Sequence, residues 1–559
     1  MIVGLDMGGT HTDAVIIDRG EIVNTAKNPT DRSNLVDTIS DTLDDLLHSI
    51  NPSEIERINL STTVSTNAIV EEKTAPVGMI IESGPGIDPG FLACGQENAF
   101  IGGYIDHRGR EVKGFSQGEI EDAVRRFKQK DIQAAAVVAK YSVRNPLHEI
   151  KIYKLLEDKF FPVTMGHTIS GKLNFPRRVF TSYLNSAVYR SFSQFSRSIR
   201  EVLAKKNIKA PVYVLKADGG TMSLETGEQF PVNTILSGPA ASLMGSCALY
   251  PVSGDAILLD VGGTTTDISF LADGVPLFEP LGIKIGRYPT LVRSIFSVSI
   301  GLGGDSSISV TQGDLSIGPR REGSPMALGG PKPTPSDAMI VLGLLDFGNR
   351  ERAFSAMEEV GRGLGLDPKA AAEKVYDRMG EIIKETVECL IREINSKPVY
   401  TVRELLYGKK MKPRSITVIG GPARALIPVL EKKFDIPCNA PQNYEVANAV
   451  GAALARTTAE ITLLVDTEQG IVSVPEMGVY RKIDRSFNLE RARRLALELL
   501  HESAKRQGAD SLEIEPDITE EQSYNMVRGF YTVGRNMRIK AQMKPGLLYK
   551  IRGVENAEG

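Results

Sequence analysis

The pattern Asp-x-Gly-Gly-Thr-x-Thr-Asp occurs twice, as Asp6-Met7-Gly8-Gly9-Thr10-His11-Thr12-Asp13 and as Asp260-Val261-Gly262-Gly263-Thr264-Thr265-Thr266-Asp267. Each copy lies between apolar runs of strand length, so each reads as strand, tight turn, strand. Glycines at the tip remove Cβ atoms and let backbone N–H groups close on an anion, and the threonine after them adds a hydroxyl donor. The carboxylates at the strand ends cannot bind phosphate, but they can hold Mg2+ or its water shell, because magnesium keeps several waters and takes one or two carboxylates beside substrate phosphates. Two such hairpins, one per lobe, would face each other across a triphosphate. A single copy reads equally well as an ordinary turn. Two copies, each following a strand and each beginning a lobe, favour the phosphate reading.

The elements that must position these hairpins alternate between strand-length apolar runs and helical patterns, which makes the chain α/β. Leu35, Ile39, Leu43, Leu46, Leu47 and Ile50 fall on one helical face. The expected division is a first lobe over 1–180, a second over 181–455 that restarts the opening theme at Ala256, and a small α+β unit over 456–559. In the second lobe a helix is predicted over 371–394, with Asp367 as cap and Pro368 in its first turn, and Cys389 is read as part of its core stripe. In the last unit two short strand-like runs, 461–465 and 470–474, precede a helix bounded by Asn488 and Gly508. The apolar face of that helix, Ala492, Leu495, Ala496, Leu499 and Leu500, is expected to pack on a surface, with the unit bracing the second lobe or docking a partner.

Further glycine pairs follow in order. Gly301-Leu302-Gly303-Gly304-Asp305 comes after the second hairpin, and a buried strand over 416–419 runs into Gly420-Gly421, a pair on which a nucleoside can lie flat. Val446-Ala447-Asn448-Ala449-Val450-Gly451-Ala452-Ala453-Leu454 is a small-residue helix suited to close packing at a hinge. One decoy is set aside. Gly114-Phe115-Ser116-Gln117-Gly118 fits the nucleophile-elbow pattern, but no buried strand precedes it, and Ser116 with Glu119 makes a capping box instead. No Gly-Lys-Ser or Gly-Lys-Thr occurs, so a P-loop is absent.

Composition narrows the class. With 66 basic and 69 acidic residues well mixed among 559, the chain has no field to gather nucleic acid or an anionic membrane. Cys94, Cys247, Cys389 and Cys438 lie far apart and signal neither a disulfide framework nor a zinc site. No apolar run approaches the ~18 residues of a membrane span. A soluble protein of the reducing cytoplasm is expected.

Together the hairpins, Leu302-Gly303-Gly304-Asp305, Gly420-Gly421 and the Gly451 helix resemble the phosphate, ribose, adenosine and connecting motifs of the actin/Hsp70/sugar-kinase superfamily. Within it, Ser61-Thr62-Thr63-Val64-Ser65-Thr66-Asn67-Ala68, Thr234-Ile235-Leu236-Ser237-Gly238-Pro239-Ala240 and the second hairpin resemble the A subunit of the hydantoinase/oxoprolinase family. The resemblance implies a two-lobed actin-like ATPase fold of duplicated ribonuclease H-like domains, with ATP and Mg2+ as cofactors. It implies activation of the carbonyl of a hydantoin, oxoproline or other lactam by phosphoryl transfer, with a B-type subunit as partner in an oligomer. On that basis Thr10 and Thr264, with the Gly8-Gly9 and Gly262-Gly263 amides, are assigned to the phosphates. Asp6 and Asp260 are assigned to Mg2+, and Asp13 and Asp267 to orienting the hairpins or the attacking oxygen. Gly303, Gly304, Gly420 and Gly421 are assigned to the nucleoside. A ketone carboxylase subunit, a small-molecule kinase and a nucleotide-switched chaperone or actin-like protein stay open as alternatives. The chain also departs from the family pattern: Val298 stands where a histidine is expected, leaving His167 without its companion for a second metal.

Overall fold

The first hairpin forms β1 (Ile2–Met7) and β2 (His11–Asp18), and β3 (Glu21–Pro29) extends it as an antiparallel meander. Helix α1 (Leu35–Leu46) buries Ile39, Leu43 and Leu46, and β4 (Arg57–Thr62) returns parallel to β1. The computed structural model that shows this describes residues 1–31, 34–48, 50–396, 410–510 and 515–552.

After β4 the chain builds a second, parallel sheet from β5 (Val77–Glu82), β6 (Glu97–Phe100), β7 (Ala134–Ala139) and β8 (Val163–Met165), ordered β8-β7-β5-β6. Helix α2 (Phe175–Lys205) then leads back, and β9 (Val212–Leu215) and β10 (Thr221–Ser223) complete the first sheet in the order β10-β9-β4-β1-β2-β3. The lobe boundary expected at residue 180 therefore falls inside one continuous helix. Residues 212–223 belong to the first lobe's sheet because β9 pairs with β4.

Helix α3 (Ser237–Leu249) leads into the second lobe, whose strands are β11 (Ala256–Val261), β12 (Thr266–Ala272), β13 (Ser297–Ile300), β14 (Ser415–Ile419) and β15 (Cys438–Asn439). Here β12 pairs antiparallel with both β11 and β13, while β14 runs parallel to β11 and to β15. The order β3-β2-β1-β4-β9 in one lobe thus recurs as β13-β12-β11-β14-β15 in the other. That repeat is a duplicated ribonuclease H-like architecture, a two-lobed actin-like fold. Asp367 caps helix α4 (Pro368–Ser396), accepting at Oδ1 from the amides of Lys369 and Ala370, both at 3.0 Å. The stripe of α4 runs through Val375, Met379, Ile383, Val387 and Leu390. Cys389, expected in the core, is exposed, because the true stripe passes one residue to its side.

Helix α5 (Ala447–Leu454) is wedged between α3 and β1, and three glycines permit the fit. A Cβ on Gly245 would lie 1.9 Å from Ala447 O, one on Gly451 2.0 Å from Ala241 O, and one on Gly4 2.2 Å from Ala449 O. No real side chain tolerates such distances.

The C-terminal unit is a five-stranded antiparallel sheet made of β16 (Glu460–Asp466), β17 (Ile471–Val474), β18 (Val479–Lys482), β19 (Pro516–Arg528) and β20 (Tyr531–Met543), ordered β18-β17-β16-β20-β19. Helix α6 (Leu489–Arg506) lays Ala492, Ala496, Leu499 and Leu500 on it. The final long hairpin exceeds the short strands expected. Its signature is the alternation that buries Met537, Ile539, Ala541 and Met543. The unit, expected to brace the second lobe or dock a partner, is fastened to the first lobe as well: Arg108 pairs with Asp466 at 2.8 Å, Glu476 accepts from Gly171 N at 2.7 Å and Ser473 donates to Val143 O at 3.0 Å, while Leu548 N donates to Leu454 O at 2.7 Å on the second-lobe side.

Candidate active site

Both hairpins close alike. Gly8 N donates to His11 O at 3.0 Å and Gly262 N to Thr265 O at 2.9 Å, while Asp6 lies opposite Asp13 and Asp260 opposite Asp267 in strand register. They converge on α5, where Asn448 Nδ2 sits 3.4 Å from Asp6 Oδ2 and 3.3 Å from Asp260 Oδ2. One amide group thus donates to a carboxylate from each lobe. Ser242, on α3, donates to the same Asp260 oxygen at 2.5 Å.

The remaining glycine motifs assemble around the second hairpin. Gly303 lies so close that a Cβ there would meet Gly263 C at 2.5 Å. Gly304 N donates to Gly262 O at 2.9 Å, Asp305 N to Gly263 O at 2.7 Å, and Gly303 N to Ser306 Oγ at 2.8 Å. The amides of Gly303 and Gly304 are therefore spent on shaping the tip. Gly420, with φ of +93°, follows β14, and a Cβ on it would press on Val261 O at 2.3 Å and on Asp260 Oδ1 at 2.9 Å. Gly421 beside it faces open space. Arg321 pairs with Asp305 at 2.9 Å, and burial, Lys27 and Arg321 together lower the pKa of His11 on the first hairpin.

Electrostatically the carboxylates are confined. Burial pushes Asp6 up to about 6; neighbouring Asp13 and Asp260 add to the shift, and Ser61 and Asn448 offset it. Its Oδ1 has no hydrogen-bond partner among the described residues. Burial also raises Asp260, against the hydrogen bonds from Ser242 and Asn448. Asp267 is raised to about 7 through burial and the charge of Asp260, against a hydrogen bond from Ser299. Asp13 is raised by burial too, but Lys27, opposite it on β3 and 2.8 Å from Oδ1, pulls it back. An orphaned oxygen on Asp6, a buried carboxylate that shares the Asn448 amide with Asp260, suits a cation, and no set of three His, Cys, Asp or Glu ligands converges among the described residues. Two carboxylates and water are what Mg2+ accepts.

Sequence reasoning grouped the aspartates and glycines but gave no role to Asn448, Ser242, Lys27 or Ser299. Asn448 had a signal, as the one polar side chain in an otherwise small and apolar helix. His167 is buried in the first lobe, with Nδ1 2.6 Å from Glu149 Oε2, and Val298 packs in the second lobe's core. Ser116 N donates to Glu119 Oε2 at 3.3 Å at the head of helix 117–129, after an exposed strand, as a capping box and not an elbow.

The hydantoinase/oxoprolinase family model matches residues 178–461, and the model of the family's N-terminal region matches 2–160. The chain belongs to the hydantoinase/oxoprolinase family. Its curated relatives include the caprolactamase subunit alpha of Pseudomonas jessenii, 26% identical over 78% of this chain and 67% of the relative. The acetophenone carboxylase gamma subunit of Aromatoleum aromaticum is 25% identical over 69% of this chain and 61% of its own length. This chain therefore spans about two thirds of these relatives, both of which are named as subunits. The solved structures of an acetone carboxylase in its nucleotide-free state and of the ATP-dependent caprolactamase from Pseudomonas jessenii share the fold. Both have a TM-score of 0.71, at 16% and 19% identity, and cover 98% and 97% of this chain and 88% and 87% of theirs. No helix among the described residues is long and apolar enough to cross a membrane.

In this hydantoinase/oxoprolinase chain the two Ser/Thr motifs that carry the family resemblance grip each other. Ser65 and Thr234 hydroxyls meet at 2.8 Å, Leu236 N donates to Thr66 Oγ1 at 2.9 Å, and Ser237 Oγ donates to Thr62 O at 2.8 Å. They fasten the end of β4, next to Asp6, to the start of α3, which carries Ser242.

Proposed function

We propose that this chain is the ATP-using subunit of a carbonyl-activating enzyme, acting on a cyclic amide such as a hydantoin, oxoproline or other lactam together with a B-type partner subunit. The observation that carries the reading is the convergence of Asp6 and Asp260 on the single amide of Asn448, which brings the two glycine-tipped hairpins to one side chain. Thr10, Thr264 and the Gly8-Gly9 and Gly262-Gly263 amides would hold phosphate oxygens, and Gly420-Gly421 the nucleoside. Gly303 and Gly304 act indirectly, by fixing the second tip. Asp6 and Asp260 would hold Mg2+ through its waters. That ion, when bound, supplies charge neutralisation and Lewis acidity. Asp267, near neutral pKa, is suited to exchange a proton with the substrate, whereas Asp13 is committed to Lys27. Family membership and the caprolactamase relative support the lactam substrate class. The acetophenone carboxylase relative supports a second reading, a ketone carboxylase subunit.

The test is ADP release by the purified chain, with and without the protein encoded beside it, across lactams, hydantoins and ketones with bicarbonate. Lactam-stimulated turnover yielding the ring-opened acid supports the proposal, and ketone turnover that requires bicarbonate selects the second reading. A stable phosphorylated product would make it a kinase. Lobe closure on ATP with no stimulation by any substrate would reject the enzyme reading in favour of a switch.

A further inference from the structure

A pair of charged side chains stands over the second hairpin tip. After β13 the chain turns back through Gly303-Gly304-Asp305, and Asp305, whose N–H is spent on Gly263 O, lays its carboxylate on the tip: a Cβ on Gly263 would lie 2.6 Å from Asp305 Oδ2. Arg321 Nη2 grips that same oxygen at 2.9 Å. The segment that carries Arg321 is firmly based. Gly318 N donates to Ser307 O at 3.0 Å and Ser307 N to Arg320 O at 2.8 Å, and a Cβ on Gly301 would meet Pro319 Cβ at 2.5 Å.

The guanidinium has donors to spare. Nη2 is turned to Asp305, and Nε donates to Gly323 O at 3.2 Å. An arginine carries five N–H groups, and Nη1 makes no hydrogen bond among the described residues, while the side chain keeps 30% of its surface exposed. No second carboxylate pairs with it there. Asp337, whose charge also acts on Asp305, is occupied by the amides of Met326, Ala327 and Thr334 and by the Thr334 hydroxyl.

Arg321 also bears on the other lobe. His11, at the first tip, is held at a low pKa by burial, Lys27 and Arg321, while Asp13 and Asp305 oppose them. A guanidinium anchored on the second tip is thus within electrostatic reach of the first. Lys27 is committed to Asp13 and to Glu445 O, and the amides of Gly303 and Gly304 are spent on shaping the tip. A phosphate arriving at Gly263 would meet the Asp305 carboxylate, which repels it unless neutralised. Arg321 both neutralises that charge and presents the planar fork of N–H groups that matches phosphate oxygens.

We propose that Arg321 is a nucleotide-binding residue of this site: Asp305 holds its guanidinium over the second tip, and Nη1 donates to the terminal phosphate of the nucleotide that the hairpins hold. The assignment rests on the ATP reading above. It adds a donor that remains on the phosphoryl group while charge redistributes during transfer.

Titration of the full chain with AMP-PNP and with ADP, both with Mg2+, tests it. Wild type should bind AMP-PNP at one site with a Kd below about 1 mM. Arg321→Met should weaken AMP-PNP at least about tenfold and ADP by less, so that the preference for the triphosphate analogue falls. Arg321→Lys, which keeps the charge and loses the fork, should lie in between, and it replaces Arg321→Met if the latter does not fold as judged by melting. An arginine that only supported the fold would weaken both nucleotides alike. Unchanged AMP-PNP affinity in the folded variant, or an equal loss for ADP, therefore overturns the role of Arg321 and leaves the ATP reading standing. Failure of wild type to bind either nucleotide overturns both.

Discussion

The two glycine-tipped hairpins have the same eight-position pattern, the same turn hydrogen bond and the same pairing of aspartates across the strands, but the strand beside each differs. Opposite Asp13 on β3 stands Lys27, and opposite Asp267 on β13 stands Ser299. The ammonium makes Asp13 half of an ion pair that also reaches Glu445 O at 3.3 Å. The hydroxyl only moderates Asp267, whose carboxyl rises to about 7. The two hairpins thus differ at a single neighbouring position, which holds one aspartate in an ion pair and leaves the other with its carboxyl raised towards neutrality.

Mutation can separate the two hairpins. Asp260→Asn should cause the largest loss, about a hundredfold or more in Mg2+-dependent ATP turnover with the melting temperature little changed, because the second hairpin would lose the carboxylate proposed to hold the cation. Turnover within a few-fold of wild type would remove Asp260 from that role. Asn448→Ala should cost about tenfold, since it removes the donor shared by the two lobes' carboxylates without removing either charge. Ser299→Lys, which copies the first hairpin's arrangement into the second, should move the pKa of Asp267 down by about 1–3 units. The acidic limb of the pH–rate profile should follow it, and an unmoved limb would show that Asp267 does not govern the profile.

The smallest expected effect is on stability. The carboxyl of Asp267 titrates at about 7 when folded, against an ordinary value of 3.8. The folded chain therefore holds an extra proton between those values, so the contribution to stability is full below the lower one and is lost as pH rises through about 7. Without Mg2+, wild type should melt lower at pH 8 than at pH 5. Asp267→Asn should flatten that slope more than Asp13→Asn does, as read by melting temperature across the series.

Much of this was legible because the decisive features are local. The doubled hairpin, the glycine pairs and the cap at Asp367 are set by neighbouring residues, so spacing alone revealed them. What escaped depended on pairing between distant segments. Nothing near residue 180 could announce that β9 joins a sheet begun at residue 2, nor that Lys27 and Ser299 occupy equivalent positions beside different strands. Cys389 was misplaced because two adjacent stripes on α4 are both partly apolar, and only packing chooses between them. Asn448 was visible as an anomaly, yet its role needed the third dimension, where residues 442 and 188 positions away become its partners.

The fit of α5 against α3 and β1 has a mechanical corollary. With backbone pressed on backbone at Gly245 and Gly451, the seam between α3 and α5 is fitted like a dovetail, with no room for one more carbon on either face. A single methyl added at Gly245 would wedge the joint open and shift α5, and with it Asn448, away from its seat.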